Sequence, residues 1–71
     1  MRVHNVDLTV IAEEPKLFPY FPKIKNNLSV VLKVSQNRVN LKATTNEKLG
    51  PIGRGEGIAV FCVALLEEDV L

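Results

Sequence analysis

The run KATTNEKLGPIGRGEG, Lys42 to Gly57, concentrates residue types that handle phosphate: two threonine hydroxyls, carboxylates, cations and all four glycines of the chain. Thr44, Thr45, Asn46 and Glu47 fit the Ser/Thr-x-x-Glu pattern of a capping box, in which threonine and glutamate satisfy the free amides of a short helix. The same arrangement suits a ligand. Free amides at a helix start and two hydroxyls receive phosphate oxygens, and a nearby carboxylate can hold a magnesium ion bridging them. Spacing leaves the two readings open. Gly50, Gly53, Gly55 and Gly57 lack the Gly-Lys-Ser/Thr ending of a phosphate loop. They also precede a strand instead of opening a helix after one, which excludes the dinucleotide fingerprint. Backbone freedom for a tight connection is their plain reading.

A second candidate is Ala12, Pro15, Lys16, Leu17 and Phe18, where a cation and apolar side chains on a polar backbone can frame a nucleobase and its phosphate. An ordinary proline-rich loop with one solvated lysine accounts for the same residues. With one histidine and one cysteine, the chain has no self-contained zinc site and no nucleophile–base pair. His4 reads as an incidental histidine on a frayed N-terminus.

The elements that must position these residues are few. At 71 residues the chain is at most one domain, and chains of that size bury only about 60% of their unfolded surface, so partners are expected to contribute stability. Val6, Leu8 and Val10 alternate with mostly polar residues, predicting a first strand over Val6 to Ile11. Pro15, Pro19 and Pro22 then break the chain into a loop. Ile24, Leu28, Val31 and Leu32 recur at helical spacing, predicting one amphipathic helix from Pro19 or Pro22 to Lys33, with Pro22 in its first turn. After a turn at Ser35 to Arg38, Val39, Leu41 and Ala43 alternate as a second strand, and Gly50 to Gly57 read as a loop. Ile58 to Leu66, IAVFCVALL, is apolar at every position; valines, phenylalanine and cysteine favour a strand that needs cover on both faces.

Net charge is +1, with the acids gathered at Glu67, Glu68 and Asp69 and no basic stripe, so nothing points to nucleic acid as a partner. The longest apolar run is about half of a membrane span, and the N-terminus has no signal-peptide core, which predicts a soluble, unprocessed chain. The single Cys62 cannot pair within the chain and fits a reducing compartment.

Together, the segments NVDLTVIAEEPKL, RVNLKATTNEKLG and GRGEGIAVFCVALL resemble the C-terminal part of the 2-C-methyl-D-erythritol 2,4-cyclodiphosphate synthase family. KATTNEKLG followed by GRGEG is the most specific piece, and the resemblance covers nearly the whole chain. It implies a homotrimeric enzyme of non-mevalonate isoprenoid synthesis that converts 4-diphosphocytidyl-2-C-methyl-D-erythritol 2-phosphate to the cyclic diphosphate and CMP. On this resemblance Ala12, Pro15, Lys16, Leu17 and Phe18 form a cytidine pocket with Lys16 near the phosphates. Ala43, Thr44 and Thr45 close it and hold the diphosphate of a CDP-containing substrate, and Glu47 binds magnesium or manganese. Arg54 and Glu56 lie near the trimer axis, by a central cavity that binds isoprenoid diphosphates in some members.

Two departures qualify that reading. The family's zinc ligands, an Asp-x-His pair and a further histidine, belong to an N-terminal part that nothing here matches, so no catalytic zinc is expected on this chain. Pro51 stands where family members commonly carry an aromatic residue of the central cavity. The expectation is therefore an α+β, ferredoxin-like fragment, strand-helix-strand-strand, with a mixed sheet and one helix layer. Residues 1–71 form a single partial domain, cytoplasmic or plastid, that carries the nucleotide side of the site. Alone it is inactive, and it works as a homotrimer or with a complementary N-terminal part. The rival is a non-catalytic nucleotide-binding or assembly module on the same fold.

Overall fold

The computed structural model describes residues 1–68; Asp69 of the acidic run lies outside them. Strand β1 (Arg2–Ile11) leads through a short 3-10 turn into helix α1 (Phe21–Leu32). Strand β2 (Val39–Thr44), one helical turn α2 (Gly50–Gly53) and strand β3 (Ala59–Glu67) follow. The sheet has the order β2-β1-β3, with β1 parallel to β2 and antiparallel to β3. Parallel neighbours require a crossover, and α1 supplies it. The architecture is the expected α+β mixed sheet with one main helix.

The small core lies where α1 meets the sheet. Val6 pairs with Val39 and Leu8 with Leu41, and Val39 is the most buried side chain, 1% exposed. On α1 the inward face is Ile24, Leu28, Ser29 and Leu32. Ser29 is buried, its hydroxyl donating to Asn26 O at 2.8 Å. Val31, expected on this face, is 76% exposed, because the inward stripe is centred on Leu28 and Ser29 and leaves Val31 at its edge. Pro22 sits in the first turn. The helix ends at Lys33, which takes a left-handed conformation (φ 59°), and Val34 N–H donates back to Ser29 O at 3.0 Å.

β1 begins four residues before the expected Val6, because the far end of β3 pairs with it: Arg2 lies opposite Glu67 and Asn5 opposite Leu65. His4 is consequently part of a strand and not a frayed end. It contacts the Glu67 carboxylate, and its Nδ1 lies 3.4 Å from Arg38 Nη1. The glycine-rich stretch also differs from a plain loop, since Gly50–Gly53 makes a helical turn in which Gly53 N–H donates to Leu49 O at 3.0 Å.

β3 is the exposed element. Val60, Cys62 and Ala64 share the helix-side face with Val10, Leu8 and Val6, while Phe61 and Val63 lie on the other face beside Thr9 and Asp7. Phe61 is 63% exposed and Val63 72% exposed. Among the described residues no helix is long and apolar enough to cross a membrane.

Candidate functional site

Because β1 and β2 run parallel, their C-terminal ends emerge side by side, the position where α/β sheets place ligands. The backbone joins there: Ile11 pairs with Thr44, and Ala12 N–H donates to Thr44 O at 3.0 Å. A cleft of about 230 Å³ opens between the segment after β1 and the end of β2. All eight residues predicted for a nucleotide pocket line it. Ala12, Pro15, Lys16, Leu17 and Phe18 come from one side, and Ala43, Thr44 and Thr45 from the other. The Glu14–Pro15 peptide is cis. Phe18 stacks at a tilt on Phe21, ring centroids 5.5 Å apart, and keeps most of its surface exposed. Whole ligand pockets run to roughly 300–1,000 Å³, so this open cleft has the size of part of one.

The loop after β2 corrects one expectation. No helix starts at Thr44–Glu47, so there is no capping box; the helical turn begins at Gly50 and has no side-chain cap. Thr45–Leu49 is instead a tight turn with Glu47 (φ 51°) and Lys48 (φ 62°) in left-handed conformations. Leu49 N–H donates to Asn46 O at 2.9 Å and Asn46 Nδ2 to Leu49 O at 2.8 Å. Glu47 N–H donates to Thr45 Oγ1 at 3.2 Å. The amides of Asn46 and Lys48 both donate to Glu13 Oε1, at 2.9 and 3.0 Å. The three amides of this turn that a capped helix would offer to phosphate are thus already engaged. What remains for a ligand is the Thr45 hydroxyl proton, the Lys16 amine and the Glu47 carboxylate, with the Thr44 hydroxyl held by a long 3.4 Å bond to Thr45 O.

Glu47 lies two residues beyond the cleft's Thr45, and its carboxylate is exposed with no hydrogen bond or ion pair to a described residue. One free carboxylate beside two hydroxyls fits magnesium, which is commonly held by one or two carboxylates plus substrate phosphates. Among the described residues no three His, Cys, Asp or Glu side chains gather as a metal group of their own. Arg54 and Glu56 stand apart from the cleft and pair with each other through Arg54 Nε and Glu56 Oε2. Lys42 is also used elsewhere, its amine 3.0 Å from Asp7 Oδ2. That bond, with a second from Asn40 at 2.9 Å, holds the Asp7 carboxyl below its usual range.

Sequence reasoning missed Glu13, which lines the cleft and binds the 46–48 turn. The available signal was an acidic residue directly after the strand that delivers the pocket.

The YgbB family model matches residues 1–67. The chain is 52% identical over 69 residues to a 2-C-methyl-D-erythritol 2,4-cyclodiphosphate synthase of Thermosynechococcus vestitus, covering 97% of this chain and 43% of that protein. Among solved structures, the 2C-methyl-D-erythritol 2,4-cyclodiphosphate synthase of Plasmodium vivax matches with a TM-score of 0.85 and 44% identity, over 87% of this chain and 41% of that one. A structure described as a CDP complex of IspF from Plasmodium falciparum matches with a TM-score of 0.81 and 38% identity, over 84% of this chain and 38% of that one. The chain thus spans less than half the length of these relatives.

Proposed function

The chain belongs to the YgbB family, and on that premise we propose that it is the cytidine- and diphosphate-binding part of a 2-C-methyl-D-erythritol 2,4-cyclodiphosphate synthase, a single partial domain of a larger active unit. The observation that carries this reading is the cleft at the paired ends of β1 and β2, in a fold similar to a chain described as a CDP complex.

The reaction is an intramolecular phosphoryl transfer. An oxygen of the substrate's 2-phosphate attacks the β-phosphorus of its own diphosphate, the bond from that phosphorus to the bridging oxygen breaks, and CMP leaves with the bridging oxygen. Little proton transfer is needed; the work is folding the substrate back on itself and offsetting negative charge. Ala12, Pro15, Leu17 and Phe18 hold the cytidine, and backbone groups of that segment read its polar edge. Lys16 sets its ammonium against the phosphates. Ala43 and Thr44 close the pocket, while the Thr45 hydroxyl donates to a diphosphate oxygen. Glu47 would hold a magnesium or manganese ion, which would supply positive charge against the diphosphate.

Arg54 and Glu56 would line a central cavity where three copies meet, and the bare faces of β3 would be covered by those copies and by a complementary N-terminal part. That part would also bring zinc ligands and the sugar-phosphate pocket. The test is release of CMP from 4-diphosphocytidyl-2-C-methyl-D-erythritol 2-phosphate with zinc and magnesium. The chain alone releases none, and addition of an N-terminal part containing Asp-x-His restores release. Zinc-dependent turnover by the chain alone, at the rate of an intact synthase, overturns the reading. The second reading is a non-catalytic nucleotide-binding module on the same fold, for which the cleft serves binding alone. It predicts CDP binding with no release under any complementation.

A further inference from the structure

We propose that Glu13 is a positioning residue of the diphosphate site: its carboxylate and the bare Cα of Gly53 together clamp the Asn46–Lys48 turn and so set where the Thr45 hydroxyl and the Glu47 carboxylate stand. The inference rests on the nucleotide reading of the cleft for its functional half, and on geometry alone for the clamp.

Three observations carry it. A single oxygen, Glu13 Oε1, accepts from both Asn46 N–H and Lys48 N–H, at 2.9 and 3.0 Å, across 33 and 35 residues of sequence. The turn it holds contains two successive non-glycine residues in the left-handed region, Glu47 and Lys48, a conformation that persists only where the surroundings impose it. The turn also meets α2 at Gly53, where a Cβ would lie 2.2 Å from Lys48 C and 2.9 Å from Lys48 O. Lys48 is therefore bonded by the carboxylate at its N–H and approached closely by Gly53 on its carbonyl side, where no side chain fits.

The effect reaches the site through Thr45, because Glu47 N–H donates to Thr45 Oγ1 at 3.2 Å and ties the two candidate ligand side chains into one unit. Holding the Thr45–Asn46 and Glu47–Lys48 peptides, one at each end of that unit, holds its place. Glu13 also borders the cleft. A carboxylate repels phosphate, and this one already receives two amide hydrogens, so its chemistry is that of a support. The preorganisation of a site by such supporting bonds is what keeps its donors in place when the ligand arrives.

The test compares the wild-type chain with Glu13→Gln, Glu13→Ala and Gly53→Ala by two readouts. Without ligand, amide hydrogen exchange at Asn46 and Lys48 rises about tenfold or more in Glu13→Ala while the amide of Leu28 in α1 is unchanged, and Glu13→Gln, which keeps one acceptor oxygen, restores much of the protection. Titration with CDP in magnesium and with cytidine alone then shows a fall of about tenfold for CDP in Glu13→Ala and Gly53→Ala, with cytidine unaffected. Unchanged exchange at Asn46 and Lys48 overturns the clamp. Equal losses for CDP and cytidine overturn the positioning role and make Glu13 a support for the whole cleft. A wild-type chain that binds neither ligand sinks the nucleotide reading, while exchange still decides the clamp. Should Glu13→Ala fail to fold, Glu13→Gln and Gly53→Ala carry the same comparison.

Discussion

The cleft and strand β3 are satisfied to opposite degrees by the same chain. At the cleft every amide of the Asn46–Lys48 turn has a partner, and the segments that meet there are held together by hydrogen bonds across more than thirty residues. β3 is bonded to β1 along one edge, yet Phe61, Val63 and Leu65 on one face and Val60 and Leu66 on the other remain largely in water. A polar site can be completed locally, because hydrogen bonds need only a few well-placed groups. An apolar strand needs area, and a single helix covers one face of part of a sheet. A polar cleft can thus be completed in a chain that leaves an apolar strand uncovered.

The largest expected effect tests the unfinished side. If other copies or a complementary part cover β3, replacing Phe61→Ser together with Val63→Ser weakens self-association measured by sedimentation at least a hundredfold, about 3 kcal/mol, while CDP affinity per folded chain is retained. Loss of both together would mean that the cleft is not complete without the covered strand.

How much of this contrast was legible in the sequence follows the range of the interactions. The order strand, helix, strand, strand, and the need of Ile58–Leu66 for cover, came from alternation and helical spacing, which are local. The gathering of Ala12–Phe18 with Ala43–Thr45 came from the family resemblance, since spacing alone left each segment open to a plain loop reading. The misses were long-range or depended on small offsets. Ser29 in place of Val31 on the helix face reflects a stripe centred one position away from the one expected. The turn at Thr45–Leu49 stands in place of a capping box: Glu13, more than thirty residues earlier, takes the Asn46 and Lys48 amides, and the Glu47 amide turns to Thr45. His4 left the frayed end once β3 paired along the start of β1 and brought the Glu67 carboxylate into contact with it.

A smaller effect sharpens the polar side. Glu47→Gln removes the only charge of the turn free to hold a cation, so CDP affinity in magnesium falls about tenfold, roughly 1.4 kcal/mol, and becomes equal to that in chelator. An equal fall in chelator would place the loss in the turn's geometry and not in metal binding.

The smallest effect lies at the margins of the sheet. Asp7 and Glu67 are held below their ordinary values of 3.8 and 4.5, the first chiefly by the hydrogen bond from Lys42 and the second by that from Arg2, with His4 adding to it. A carboxyl whose pKa is lower folded than unfolded adds stability that is fully present above the ordinary value and is lost as pH falls through the lowered one. Both groups face water, so the contribution is small and salt-sensitive. Melting temperature is expected to fall slightly as pH drops below about 4, and Asp7→Asn with Glu67→Gln flattens that slope.

The most direct test of the central claim, that the cleft is a nucleotide-diphosphate site on this chain's own residues, is titration of the isolated chain with CDP in magnesium, followed by backbone amide resonances. The account predicts saturable shifts at Ala12, Lys16, Leu17, Phe18 and Ala43 to Glu47, with β3 unmoved. No shift in the cleft at millimolar CDP, or shifts confined to β3, would contradict it.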